Sequence, residues 1–503
     1  MINGFIKDMA KYTPGHIVPA IVGIVSIPVI TRLLSPGEYG NYALVMATVG
    51  VLSTTVGWLS MSIIRFYPVC QRDKKLDEFY GTVIKLTIVS TLAVSLIASG
   101  ALVVLKPSIS MKLYSLLWIG MLVSILMSGL GVPLDFLRAK RRVAHYSAFR
   151  VWNNVAAIGL GVLLVTTFRS GVSGLLWGWV LGMSIVLPFT WKKAMEGVSS
   201  SLKGISFPLT LEMVKYSFPL VAGNLAAWTL SLSDRYILEF FRGSSEVGIY
   251  SASYGICEKA IMLPATLFML ASRPIAMNTW EKEGEKKSQE FVSRLTRYYL
   301  IIGLPAMVGL SVLAKPLVEI LIRQEYYEGY RAIPLVASGV FLFGLQQRFQ
   351  AGPIFHKRTY LIMLSIVAAG LLNLGLNLLL IPQYGYMAAA FTTLISYVFL
   401  MFLMIIVSRR FFVWQFPVKS LAKATCASLL MGLIVYHIGS GLTSSGLLNL
   451  VLGIVVGSAV YSLTLFLFQE FKPAEIEALL DLKSGVSRWV RSVDIRLNAV
   501  LRR

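Results

Sequence analysis

A glutamate and a lysine, Glu258 and Lys259, stand side by side in the otherwise apolar run 249–272. They lie about nine residues, or roughly 14 Å of helix, from one end of it, near a bilayer midplane. A charge at that depth costs about 2.5–3.5 kcal/mol on insertion scales. Adjacent helical residues point about 100° apart, so the two cannot simply neutralise each other. At least one must face water or a partner on another helix. Ser251, Tyr254, Gly255 and Glu258 follow i, i+3, i+4, i+7 spacing and mark a polar stripe that reads as a lumen face. A carboxylate there could load and release H+ or Na+, with no other cofactor implied; a structural ion pair is the competing reading. Asp234 and Asp135 are further carboxylate candidates, with Arg235 and Arg138 close enough in sequence to pair.

The cations suit a different task. Arginine grips phosphate oxygens with a planar fork and stays charged. The candidates are Arg32 and Arg235 at one end of the first and seventh apolar runs, Lys259, and Arg65, Arg138, Arg150 and Arg348 at the opposite end of the second, fourth, fifth and tenth. For each, a charge snorkelling to the interface is the alternative. Asn373 and Asn377 on one helical face, Asn224, Asn153 and Asn154, and Gln346, Gln347 and Gln350 suggest a hydrophilic interior, against plain interhelical hydrogen bonding.

Long helices must position these groups. Of 503 residues, 56% are hydrophobic and 14% charged, and the mean hydropathy is +0.72, which excludes a chain of soluble domains. Fourteen apolar stretches approach the roughly 20 residues that cross a bilayer. The first covers 12–32, the second 41–64, the seventh 214–238 and the last 447–468. Lys and Arg total 46 against 24 Asp and Glu, a net +22. In alternating order, 36 of the 46 fall on one side of these stretches, nine on the other, and Lys259 within one. The positive-inside rule therefore predicts an even number of spans with both termini cytoplasmic. Most of the charge is topological, so no nucleic-acid partner is expected. Three cysteines without paired spacing, four scattered histidines and no paired catalytic carboxylates give neither a metal site nor an enzyme.

The halves repeat. Lys11-Tyr12-Thr13-Pro14 opens the first span and Lys215 to Pro219 the seventh; Arg32 and Arg235 follow; then come Glu38-Tyr39-Gly40-Asn41-Tyr42 and Glu246-Val247-Gly248-Ile249-Tyr250, both E-x-G-x-Y. The predicted organisation is an all-α polytopic membrane protein of about 14 transmembrane helices: a six-helix lobe over 1–195, a linker over 196–213, a second six-helix lobe over 214–410 related by a pseudo-two-fold, two more helices over 411–468 and a basic amphipathic tail over 469–503 lying on anionic lipid.

The run Thr31 to Tyr42, with Tyr216 to Pro219, Ser233-Asp234-Arg235, Val247 to Tyr250, and Ile381-Pro382 to Ala390, resembles the Wzx-type polysaccharide flippases of the multidrug/oligosaccharidyl-lipid/polysaccharide exporter superfamily. The resemblance implies two lobes around a central cavity that move an undecaprenyl-pyrophosphate-linked oligosaccharide from the cytoplasmic to the outer leaflet of the inner membrane, for O-antigen, capsule or exopolysaccharide. Lipid-linked oligosaccharide and membrane lipids are the implied partners, with a polysaccharide polymerase and chain-length machinery as candidates. The alternatives are a cation-coupled multidrug or small-molecule exporter and a non-transporting scaffold.

Overall fold

The computed structural model describes residues 2–198, 204–439, 446–471 and Glu475. These form helices α1 (Ile2–Leu33), α2 (Pro36–Val56), α3 (Trp58–Arg72), α4 (Leu76–Leu105), α5 (Met111–Ala139), α6 (Val143–Phe168), α7 (Gly171–Met195), α8 (Phe207–Arg242), α9 (Ser244–Val312), α10 (Ala314–Leu321), α11 (Ile333–Phe349), α12 (Ala351–Phe355), α13 (Thr359–Arg409), α14 (Val418–Gly439) and α15 (Gly446–Leu467). No strand occurs among the described residues. The all-α polytopic expectation holds. The tail, apart from its first residues and Glu475, and linker residues 199–203 lie outside the described residues.

Local chemistry explains the boundaries. At α2 the Ser35 hydroxyl accepts from the Glu38 backbone N–H while the Glu38 carboxylate accepts from that of Ser35, a reciprocal cap with Pro36 in the first turn. The span read over 41–64 is two helices, because the chain breaks at Gly57. In contrast, α9 and α13 each run through two predicted spans and reverse once. Gly284 (φ 82°) breaks α9 and Gly385 (φ 58°) breaks α13, in a region of backbone space that favours glycine. Ala260, Pro264, Tyr299 and Ile302, from the two arms of α9, line one narrow cleft, so those arms run side by side.

Among the described residues, ten helices are long and apolar enough to cross a membrane. α8, although 36 residues long, is not among them. It carries Ser217, Asn224, Ser233, Asp234 and Arg235, polar groups that only a protein or aqueous neighbour tolerates at depth.

Packing is dense among α1, α2, α5, α6 and α7, and again among α8, α9, α11 and α13; α14 and α15 pack on each other and on α9. The strongest contact between the two groups joins α2 to α9. Glu38 and Glu246 share one end of the molecule, the motif end, and most of the described Lys and Arg lie toward the opposite, basic end.

Candidate functional site

The two E-x-G-x-Y motifs meet each other. A Cβ on Gly40 would fall on the Ser244 carbonyl, and one on Gly248 on the Pro36 carbonyl, so the first turns of α2 and α9 touch backbone to backbone. Each motif glutamate sits over the start of the sixth crossing of its own group. Glu246 Oε2 accepts from the Tyr386 backbone N–H at 2.9 Å, just after Gly385. A Cβ on Gly171, the first residue of α7, would lie 3.4 Å from Glu38 Oε1. Carboxylates are favourable at such helix N-termini, where backbone N–H groups lack partners.

Each motif tyrosine reaches a polar group inside its lobe: Trp179 Nε1 donates to the Tyr42 hydroxyl at 3.1 Å, and Tyr250 donates to Asp234 Oδ2 at 2.7 Å. Ser244 donates to Asn41 Oδ1 across the seam at 2.9 Å. The short 3-10 segment Gln324–Ala332 covers this end, with the Tyr326 hydroxyl donating to the Leu34 carbonyl at 2.9 Å. Leu34, Leu44, Val247, Tyr250 and Tyr326 are fully buried in one cluster drawn from both groups. Where α2 meets α9, the motif end is closed.

Below this seal lies the polar centre of the second group, where α8, α9 and α13 converge. Arg235 and Asp234 are 6% and 1% exposed. Arg235 donates to Ser251 Oγ at 3.1 Å and to the Ser231 carbonyl at 3.0 Å, lies 3.5 Å from Asp234 Oδ1, and sits 5.0 Å from the Tyr254 ring. Thr393 Oγ1 approaches Asp234 Oδ2 at 3.5 Å, and the Tyr254 and Tyr397 hydroxyls are 3.1 Å apart. The positive charge is thus held by a carboxylate, hydrogen-bond acceptors and aromatic faces together. One helical turn beyond Tyr254, Glu258 is exposed, within the fields of Arg235, Lys259, Tyr254 and Tyr397.

Lys259 turns from this centre toward the first group. Its Cε would be 2.8 Å from a Cβ on Gly23 of α1, so the absence of a side chain at Gly23 makes room for the lysine at the seam. Nearby, Gly255 faces Ile27 in the same manner. Arg235, Asp234, Glu258 and Lys259 are therefore one constellation, with Lys259 on the boundary between the groups.

The other sequence candidates lie elsewhere. Arg32 is exposed and donates to the Ile320 carbonyl at 2.8 Å, at the motif end. Arg65 is exposed on α3. Arg150 donates to the Tyr146 hydroxyl at 2.9 Å, and Asp135 is 3.9 Å from Arg138. Arg348 is buried beside the Tyr299 ring, in a pocket shared with Arg273. Asn224 is exposed on α8. Asn373 and Asn377 do not face a lumen. Both are 0% exposed; Asn377 Nδ2 donates to Asn373 Oδ1 at 2.8 Å, and Thr392 from the other arm of α13 donates to Asn377 Oδ1. Through Asn377 and Thr392 they join one arm of the hairpin to the other, while Asn373 Nδ2 is buried without a hydrogen-bond partner.

Sequence reasoning missed Gly23, Gly40 and Gly248 as seam residues. For the last two the repeat itself was the signal, since a glycine recurring at the same place between Glu and Tyr marks a close backbone approach.

The profile of the polysaccharide biosynthesis protein family matches residues 29–330, more than half of the chain. The chain belongs to that family. It is 22% identical over 358 residues to the probable low-salt glycan biosynthesis flippase Agl15 of Haloferax volcanii, covering 70% of this chain and 73% of that protein. Its fold matches the lipid II flippase MurJ in an inward closed conformation with a TM-score of 0.75 at 17% identity, over 91% of this chain and 98% of that one. A multidrug resistance MATE family transporter of the MOP superfamily, in an inward-facing conformation, matches with 0.68 at 11% identity, over 79% and 97%. The flippase-family resemblance read from residues 31–42 is borne out by these matches.

Proposed function

We propose that the protein is a flippase for a lipid-linked oligosaccharide, of the undecaprenyl-pyrophosphate type, and that it carries repeat units of a surface polysaccharide across the membrane by alternating access. The observation that carries this reading is the placement of Lys259. A cation of half-buried character stands on the seam between the two helix groups, beside Arg235 and the exposed Glu258. A substrate with a pyrophosphate, a polar glycan and a long apolar tail needs a charged group where a path between lobes opens to lipid.

In this reading the motif end is extracytoplasmic and the basic end cytoplasmic, with both termini inside. The lobes are residues 1–195 and 214–410. The closed motif end belongs to an inward-oriented state, and outward opening requires the Gly40–Gly248 contact to separate while the α3–α8 contact, where the Ser62 and Ser217 hydroxyls lie 2.7 Å apart, holds or tightens. Glu258 is the coupling carboxylate for H+ or Na+; Asp234 is committed to Arg235 and serves to fix it. Polymerase and chain-length proteins would meet the extracytoplasmic face.

The test is reconstitution in liposomes with a fluorescent lipid-pyrophosphate oligosaccharide, following its accessibility in each leaflet. Protein-dependent exchange between leaflets is expected, reduced in Lys259→Ala and made insensitive to a proton or sodium gradient in Glu258→Gln. Uptake of a small organic cation with no movement of any lipid-linked glycan would instead assign a multidrug-type exporter.

A further inference from the structure

A second cationic pocket lies outside the central constellation. Between the arms of α9 near their basic-end turn and the α11–α12 corner there is a cavity of about 380 Å³. Arg273 and Arg348 line it together with Ser272, Met277, Leu295 and Phe355, and among its described lining residues there is no carboxylate. Arg348 is buried and Arg273 exposed, and each guanidinium lies in the repulsive field of the other. Two like charges in an apolar pocket are favourable when an anion joins them, since guanidinium forks bind phosphate oxygens with charge-assisted hydrogen bonds. Apart from Ser272 and Gln347 the rest of the wall is aliphatic and aromatic, which suits a hydrocarbon chain rather than a free ion.

We infer that this pocket binds a phosphate-headed lipid, its phosphate between Arg273 and Arg348 and its chain along Met277, Leu295 and Phe355. The inference concerns binding alone and stands whether or not the protein transports a glycan.

Native mass spectrometry of the full chain in detergent, with farnesyl phosphate, farnesol, phosphatidylglycerol and inorganic phosphate as probes, tests it. Farnesyl phosphate should bind, and Arg273→Gln should weaken it about tenfold or more, the loss of one charge-assisted contact. Arg273→Lys should recover part of that loss, and Met277→Trp should narrow the cavity and weaken binding with every arginine kept. Farnesol should bind weakly and equally to wild type and Arg273→Gln. Comparable binding of phosphatidylglycerol would name bulk membrane lipid as the source, and preference for farnesyl phosphate a polyprenyl carrier; either supports the site. Equal affinity of wild type and Arg273→Gln for farnesyl phosphate would overturn it. So would inorganic phosphate binding as tightly as the lipid.

Discussion

Arg32 and Arg235 each precede an E-x-G-x-Y motif, by six residues in the last turn of α1 and by eleven, about two turns before the end of α8, and their surroundings are opposite. Arg32 is exposed and ties α1 to the carbonyl of Ile320 at the end of α10. Arg235 is buried among Asp234, Ser251, Tyr250 and Tyr254. The glycines of the two motifs are equivalent, because each meets the backbone beside the other and a side chain on either would break the same contact. The contact between the two motifs thus constrains both glycines and places no such demand on the two arginines. The first half uses its arginine as a strap at the motif end, and the second makes its arginine the centre of a charged interior.

The largest expected effect separates the two arginines through their partners. Asp234→Ala leaves the buried guanidinium without its carboxylate and should cost about 3–5 kcal/mol, the usual penalty for removing one member of a buried pair. Thermal melting in detergent reads this as a large fall. Replacing both residues, Asp234→Leu with Arg235→Leu, should recover much of the loss, and the double-mutant cycle gives the coupling directly. An Asp234→Ala protein that melts like wild type would show that Arg235 is not a buried charge, and the contrast with Arg32 would disappear.

The glycines test the part of the comparison that is shared. Gly40→Ala and Gly248→Ala should each cost about 1–3 kcal/mol as overpacking of backbone against backbone, and by nearly equal amounts. Both should also raise the labelling of a cysteine placed at Asn41 by a membrane-impermeant thiol reagent. A large effect from only one of the two would mean that the close approach is not reciprocal. Arg32→Ala comes next, at about 1 kcal/mol or less for an exposed hydrogen bond, with flipping reduced far less than by Arg235→Ala.

The sequence disclosed the fold more fully than the site, for a physical reason. A membrane span is a local property of some 20 consecutive side chains, so hydropathy finds it. Even α8, too polar to meet the same apolar standard, was found because its apolar residues still cluster. What a polar residue faces depends on helices far away in sequence. Asn373 and Asn377 lie on one face of a helix, but whether that face meets water or Thr392 depends on the reversal at Gly385. Arg32 and Arg235 look alike because each follows an apolar run and precedes a motif, while the difference comes from their positions on α1 and α8, from Ile320 in one case and from α9 and α13 in the other. Lys259 was legible as a buried charge needing an explanation; its neighbour Gly23, more than two hundred residues away, was not.

The smallest expected effect concerns a surface pair at the basic end of the first group, a counterpart to the buried pair in the second. Lys193 Nζ donates to Glu196 Oε1 at 2.7 Å, and Arg142 donates to the other carboxylate oxygen. Lys193 first and Arg142 second hold this carboxyl at about 2, below its ordinary 4.5. A carboxyl depressed in the folded state contributes stability that is complete above its unfolded value and is lost as the pH falls through its folded value. The contribution should therefore be constant above about pH 4.5 and disappear between there and about pH 2. Glu196 is exposed, so solvent and salt screen these contacts and their share is slight. Glu196→Gln should flatten only a shallow part of the acid melting curve, and high salt should reproduce the change in wild type. If instead Glu196→Gln lowered the melting temperature at pH 7 as much as Asp234→Ala does, surface and interior charge would weigh alike, and burial would not be what distinguishes the two halves.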